Sequence, residues 1–317
     1  MKERNETAVS EFILLAFSSL GEKLKISLFL VLLLTYLITI TGKVVIIFIV
    51  WVNHRLHSPM YFFITNLSFL ETWFTSVTNP KMVLNFLSIS RTISFHSCMA
   101  QSFFYFTLGS TEFCLLVVMS FDRYVAICRP LQYTTIMKQR FCIQLALGTW
   151  VGGFMVMSLR MLLISKLSFC GPNVINHFFC DSTPLFLLSC TDTSGVRRVD
   201  SILISTLVLS SLCLMMLSYV SILFSILRIP TATGRQKAFA TCGSHLTSLV
   251  IAYGSCIVLY ARPSGNSSLN LNKGVALLNT VLYPFLNPFI YSLRNKTVKL
   301  ALRETFSQST AKLLPDP

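Results

Sequence analysis

The sequence predicts an all-α membrane protein, a seven-transmembrane helix bundle with its amino terminus outside. Three observations predict it. Of 317 residues, 53 % are hydrophobic and only 12 % charged, whereas an ordinary soluble domain carries about 25 % charged residues. The apolar residues fall in long blocks separated by short polar stretches, and the mean hydropathy is +0.67. The amino-terminal tail carries a glycosylation sequon, Asn5-Glu6-Thr7, on the same face as a group of cysteines.

A helix needs about 20 mostly apolar residues to cross a bilayer. Seven segments are candidates: 25–50, 58–85, 98–122, 141–164, 200–227, 238–261 and 274–293. The second, sixth and seventh are weak by hydropathy because they carry Asn66, Glu71, His245 and Asn287. Polar residues at membrane depth are costly and mark a bundle interior or a functional path. The blocks are continuous rather than alternating, which excludes a strand barrel. No inverted repeat of the kind many transporters show is visible. Residues 1–24 then form an extracellular tail, 25–293 the membrane domain, and 294–317 a cytosolic tail with a short amphipathic helix.

The net charge of +14 would suit a nucleic-acid partner. Here the basic residues lie between apolar blocks, as they do around membrane spans, so the partner is lipid and not nucleic acid. Lys and Arg are divided almost evenly between the two faces and do not set the orientation. The Asn5 sequon and the cysteines do, placing the amino terminus outside. The sequons at Asn66 and Asn295 fall within a span and on the inner face; Asn266 is outside but close to the membrane. Cys114, Cys213 and Cys256 read as buried small hydrophobes, and Cys128 and Cys142 flank a cytosolic loop. Cys98, Cys170, Cys180 and Cys190 suit an oxidising face, where four cysteines allow three pairings. Their nine-residue spacings are not those of a zinc site.

The third span ends Met119-Ser120-Phe121-Asp122-Arg123-Tyr124-Val125-Ala126-Ile127-Cys128-Arg129-Pro130-Leu131. An acid beside an arginine at the inner end of a span can neutralise itself in one state and free the arginine in another. The alternative for three such residues alone is a snorkelling Arg. The longer string resembles the M-A-Y-D-R-Y-V-A-I-C-x-P-L signature of odorant receptors. The resemblance recurs at Pro59-Met60-Tyr61-Phe62-Phe63, Asn66-Leu67-Ser68-Phe69-Leu70-Glu71 and Ser218-Tyr219. It continues through Lys237-Ala238-Phe239-Ala240-Thr241-Cys242-Gly243-Ser244-His245-Leu246 and Pro284-Phe285-Leu286-Asn287-Pro288-Phe289-Ile290-Tyr291-Ser292-Leu293-Arg294-Asn295. The cysteine-rich second outer loop is similar to that of the tetrapod-type, class II branch of this rhodopsin-like, G-protein-coupled family.

The resemblance implies disulfides Cys98–Cys180 and Cys170–Cys190. It implies a small, neutral, hydrophobic odorant as ligand. The partner would be an olfactory-type stimulatory heterotrimeric G protein that raises cyclic AMP, and the location the plasma membrane of olfactory cilia. Asp122, Arg123 and Tyr124 would form the switch, with Tyr219 and Tyr291 supporting its open form and Arg235, Lys237 and Arg294 at the inner rim. By position, the ligand would meet Tyr105, Phe106, Gly109 and Ser110 on the third span. Ile204 and Leu207 on the fifth, Cys256 and Tyr260 on the sixth, and Leu277 and Thr280 on the seventh would face them. Plain helix packing is the alternative for any one of these.

Glu71 and Glu112 are two acids inside the membrane, and both cannot be ionised without a cation, a proton or a basic partner. The resemblance implies a sodium ion held by Glu71, Glu112 and Asn287; the alternative is that each acid keeps its own proton. The chain departs from the family at Lys43, where Asn is usual, at Phe121 for Tyr, and at Ala252 for Phe. Lys43 lies roughly 12 Å inside the inner end of the first span by helical rise. It is expected to pair with Glu71 and supply the charge that sodium supplies elsewhere; snorkelling to the interface is the alternative. An amine receptor would place an acid near Tyr105, and a retinal protein a lysine midway along the seventh span, where this chain has only Lys273 at the outer end. No nucleophile–base constellation marks an enzyme.

Overall fold

Polar backbone has no water to bond in hydrocarbon, so a spanning segment must satisfy itself as helix. The computed structural model describes residues 9–15, 21–87, 91–170, 173–260, 268–293 and 298–304. Its membrane helices are α1 (Glu22–Val52), α2 (Pro59–Phe86), α3 (Phe95–Cys128), α4 (Gln139–Ile164), α5 (Ser194–Leu227) and α6 (Ala232–Tyr260). The seventh, α7, runs in three parts: α-helix at Ser268–Leu277, a π-helical turn at Leu278–Leu282, and α-helix at Tyr283–Leu293. A further helical segment covers 298–304 after the seventh span. Most helices outrun their apolar blocks by a turn or so, because backbone pairing continues into the interface where side chains are already polar.

Among the described residues, only α1, α3, α4 and α5 are long and apolar enough to be identified as spans by composition. The polar residues that weaken the other three each find at least one partner within the bundle. Asn66 donates to the Phe62 carbonyl at 2.9 Å, Asn287 donates to Glu71, and His245 bonds the Tyr219 hydroxyl. Outward faces are apolar, as at Leu34, Val151, Leu217 and Val250, which is the surface lipid requires. Cys213 belongs to that surface: it is exposed rather than buried, because the helical phase of α5 turns it away from the bundle. Cys114 and Cys256 are half-buried.

The outer end departs from pure helix. Strand β1 (Glu11–Leu14) of the tail lies between β2 (Thr92–Ser94), antiparallel, and β3 (Val174–Ile175), parallel. Its alternation buries Phe12 and Leu14 against Cys98, Phe169 and Ile175. Disulfides Cys98–Cys180 and Cys170–Cys190 form, with Cα separations of 5.4 and 5.7 Å. The Gln101 side-chain oxygen accepts from the Cys180 backbone N–H at 3.1 Å, and Phe179 packs on Tyr105 at 4.4 Å between ring centroids. Burial, and then the nearby Lys273 charge, hold His177 down at about 4. This lid imidazole is therefore neutral at physiological pH. The sequons at Asn5, Asn266 and Asn295, and Arg294, lie outside the described residues.

Two glycines set close approaches. A Cβ on Gly42 would stand 3.3 Å from Pro288 Cβ, so α1 and α7 nearly touch beside Lys43. A Cβ on Gly153 would collide with the Thr111 hydroxyl and stand 3.2 Å from the Thr111 backbone N. Gly153→Ala is therefore expected to force α4 off α3 at a cost of about 1–3 kcal/mol, read as a lower melting temperature and reduced surface expression. Cys98→Ser and Cys180→Ser should each impair surface delivery, and the double variant should be no worse than either; additive losses would show that the two do not act as one bond.

Candidate ligand cavity and inner switch

α3 crosses the bundle centre and presents residues at every third or fourth position to its neighbours. In the outer half it contributes Tyr105, Phe106, Gly109, Ser110, Glu112, Phe113 and Leu116 to a cavity of about 150 Å³. α5 adds Ile204, Leu207 and Val208; α6 adds Ala252 and Cys256; Phe74 of α2 and Met157 of α4 close the sides. A volume of this order holds a benzene-sized guest. The walls are mostly apolar, with few convergent polar groups, as small-molecule sites usually are. The Ser110 hydroxyl is engaged with the Thr107 carbonyl at 2.8 Å.

Seven residues picked out by position in the sequence therefore line this cavity: Tyr105, Phe106, Gly109, Ser110, Ile204, Leu207 and Cys256. Leu277 and Thr280 do not. Leu277 packs in the apolar cluster of Phe178 and Phe179, and the Thr280 hydroxyl turns back to the Ala276 carbonyl at 2.8 Å. The reason is the π-helical turn, which inserts an extra residue into the helical phase. It brings Asn279 and Tyr283 to the cavity instead. The side chains of Tyr260 and Tyr291 lie outside the described residues.

Beneath the cavity is a charged centre. Lys43 and Glu71 are both 1 % exposed and form an ion pair between α1 and α2. Asn287 of α7 donates to the same carboxylate and accepts from Ser248 of α6 at 3.1 Å. Glu112 stands beside Tyr283 and within electrostatic range of Lys43. A sodium ion placed at Glu71 would sit against an ammonium already there, and like charges at contact distance in a low-dielectric site repel strongly. The residues present do not fit that ion. Among the described residues, no group of three or more His, Cys, Asp or Glu is placed to hold a metal.

At the inner end, Asp122 and Arg123 pair with each other while 1 % and 8 % exposed. The Tyr133 hydroxyl, from the turn after α3, donates to the second Asp122 oxygen at 2.8 Å. Tyr124 packs with Ile222, Ile226 and Cys242, tying α3 to α5 and α6. Tyr219 of α5 bonds His245 of α6, which is itself within range of the Arg123 charge. The arginine is thus masked and the inner faces of α3, α5 and α6 are closed on it. Tyr133 was not legible as a partner, since it lies eleven residues beyond Asp122, in a short helical turn outside the motif.

The olfactory receptor family model matches residues 32–309. Human olfactory receptor 6F1 is 49 % identical over 302 residues, covering 95 % of this chain and 98 % of that protein. Human olfactory receptor 6T1 is 50 % identical over 304 residues, with 96 % and 94 % covered. Mouse olfactory receptor 6E1 is 49 % identical over 305 residues, with 96 % and 97 % covered. Among solved structures, squid rhodopsin superposes with a TM-score of 0.67 at 16 % identity, covering 95 % of this chain and 90 % of that one. The chain belongs to the olfactory receptor family: it is a rhodopsin-like G-protein-coupled receptor and not an enzyme, a multi-pass plasma-membrane protein whose partners are an odorant and a G protein.

Proposed function

We propose that a small, hydrophobic odorant binds in the cavity between α3, α5, α6 and α7 and that the receptor then activates an olfactory-type stimulatory G protein, raising cyclic AMP. The observation that carries this reading is the pairing of two features on the same helices. A mostly apolar cavity lies in the outer half, and a self-neutralised Asp122–Arg123 pair lies at the inner end. Support comes from Ile204, Leu207 and Cys256, which line the cavity on α5 and α6, the two helices that Tyr219 and His245 join below. A ligand that fits better when α6 swings outward shifts the equilibrium toward that state. Arg123, released from Asp122, then faces the G protein, with Tyr219 and Tyr291 supporting the open form.

Lys43 has its own part in this reading. Its ammonium takes the place of a sodium ion at Glu71, Glu112 and Asn287. The positive charge is then part of the chain and does not vary with salt. Support comes from the Lys43–Glu71 pair, its near-complete burial and the hydrogen bond from Asn287.

Arg123→Ala should abolish the cyclic AMP response to odorant while surface expression is kept, because Tyr133 still bonds Asp122; a full response in that variant would sink the coupling scheme. Lys43→Asn should create a sodium dependence that the natural chain lacks. It would be read as a melting temperature that rises by a few degrees when sodium replaces potassium at constant ionic strength, as expected for an ion that binds only the folded state. The same sodium response in both proteins would refute the replacement.

A further inference from the structure

The outer end of the cavity carries a charged cluster that no motif pointed to. Arg160 of α4 is 2 % exposed although it lies within a membrane helix. Its Nε donates to Asp200 of α5, and its guanidinium carbon sits 3.8 Å from the centroid of the Phe106 ring. The Asp181 carboxylate of the outer loop lies within range of the same charge. One amino group of Arg160, Nη2, is buried with no hydrogen-bond partner among the described residues. A guanidinium carries five N–H donors in a fixed fork, and a buried charged donor left unmet is costly.

This cluster is continuous with the cavity. Phe106 belongs to both. Met157 is about one helical turn inward of Arg160, and Ile204 about one turn inward of Asp200; both line the cavity. The unmet donor therefore stands where α3, α4 and α5 converge, just outside an otherwise mostly apolar space.

We propose that Arg160 is the polar anchor of this cavity and that it selects odorants bearing a neutral oxygen acceptor, the carbonyl of an aldehyde, ketone or ester, on an apolar body. The proposal rests on the reading of the cavity as the odorant site. Charge balance decides the ligand class. Arg160 is already paired with the Asp200 carboxylate and has Asp181 within electrostatic range, so a carboxylate ligand would bring a further acidic group into a poorly solvated site. A hydrocarbon would leave Nη2 unmet. A carbonyl oxygen accepts from Nη2 and adds no charge. Stacking on Phe106 and the bond to Asp200 hold the planar fork in one orientation, so the donor is directed before the ligand arrives.

The test uses the full-length receptor in cells, with surface level measured, and the purified receptor for ligand-induced melting shifts. The probes are hexanal, butyl methyl ketone, hexanoic acid and hexene, matched in length and suited to a cavity of this size. The natural receptor should respond to hexanal and the ketone at lower concentration than to hexene or hexanoic acid. Arg160→Met should cut the advantage of hexanal over hexene about tenfold or more, the size expected for a hydrogen bond to a charged group. Asp200→Asn leaves the guanidinium less balanced and should move preference toward hexanoic acid. If both variants lower surface level and melting temperature but leave the potency ratios unchanged, Arg160 is only a strut between α4 and α5 and the proposal is overturned. A natural receptor that prefers hexene or the acid overturns it as well. Gly109→Trp, which fills the cavity, separates the two readings. Responses that survive it remove the cavity as the odorant site. Responses lost there, with unchanged ratios in Arg160→Met, remove only the anchor.

Discussion

Hydrocarbon offers no water to a charge, so each charge inside this bundle must be answered by another group of the protein. Among the described residues, three buried ion pairs meet that constraint at three depths. Arg160–Asp200 lies at the outer end, Lys43–Glu71 near the middle and Asp122–Arg123 at the inner end. Buried pairs are weak evidence of net stability, since desolvation offsets most of the attraction. What the two interhelical pairs do is restrict which helices can face each other. Arg160 and Asp200 join α4 to α5; Lys43 and Glu71 join α1 to α2, and Asn287 brings α7 to the same carboxylate. A slip of any of these helices by one residue would leave a charge unmatched.

α3 takes part at every level. Phe106 stacks under the Arg160 guanidinium, Glu112 borders both the cavity and the charged centre, and Asp122 and Arg123 close the inner end. The cavity lining and the Asp122–Arg123 pair thus share one helix. α5 and α6 are joined to each other by the Tyr219–His245 and Tyr253–Ser211 bonds, and among the described residues neither forms an ion pair with α3.

Much of this was legible in the residues. Long apolar blocks gave four spans outright, and the polar motifs of α2, α6 and α7 identified the rest, because a polar residue at membrane depth needs a partner within the bundle. Residues on α3 and α5 were placed correctly at the cavity since regular helices keep their phase. The same logic failed on α7, where the π-helical turn exchanged Leu277 and Thr280 for Asn279 and Tyr283. It failed at Cys213 because an apolar block does not declare which side faces lipid. Arg160 and Asp200 lie 40 residues apart on different helices, and neither has a local pattern that announces the other. The outer sheet was invisible for a related reason. Strands of two to four residues carry almost no periodicity, and β1 finds its partners only after the helices have brought the loops together.

The pairing of β1 makes the tail sensitive to its length more than to its spelling. Phe12 and Leu14 point inward while Glu11 and Ile13 point outward or to the edge, and successive residues of a strand alternate faces. Replacing Glu11 with another polar residue changes little in this arrangement. Inserting or deleting a single residue between Phe12 and Leu14 turns one of these two side chains toward water and a neighbour toward the Cys98–Cys180 bridge. Descendants of this gene can therefore drift freely in the letters at alternate tail positions, but not in the spacing of Phe12 and Leu14.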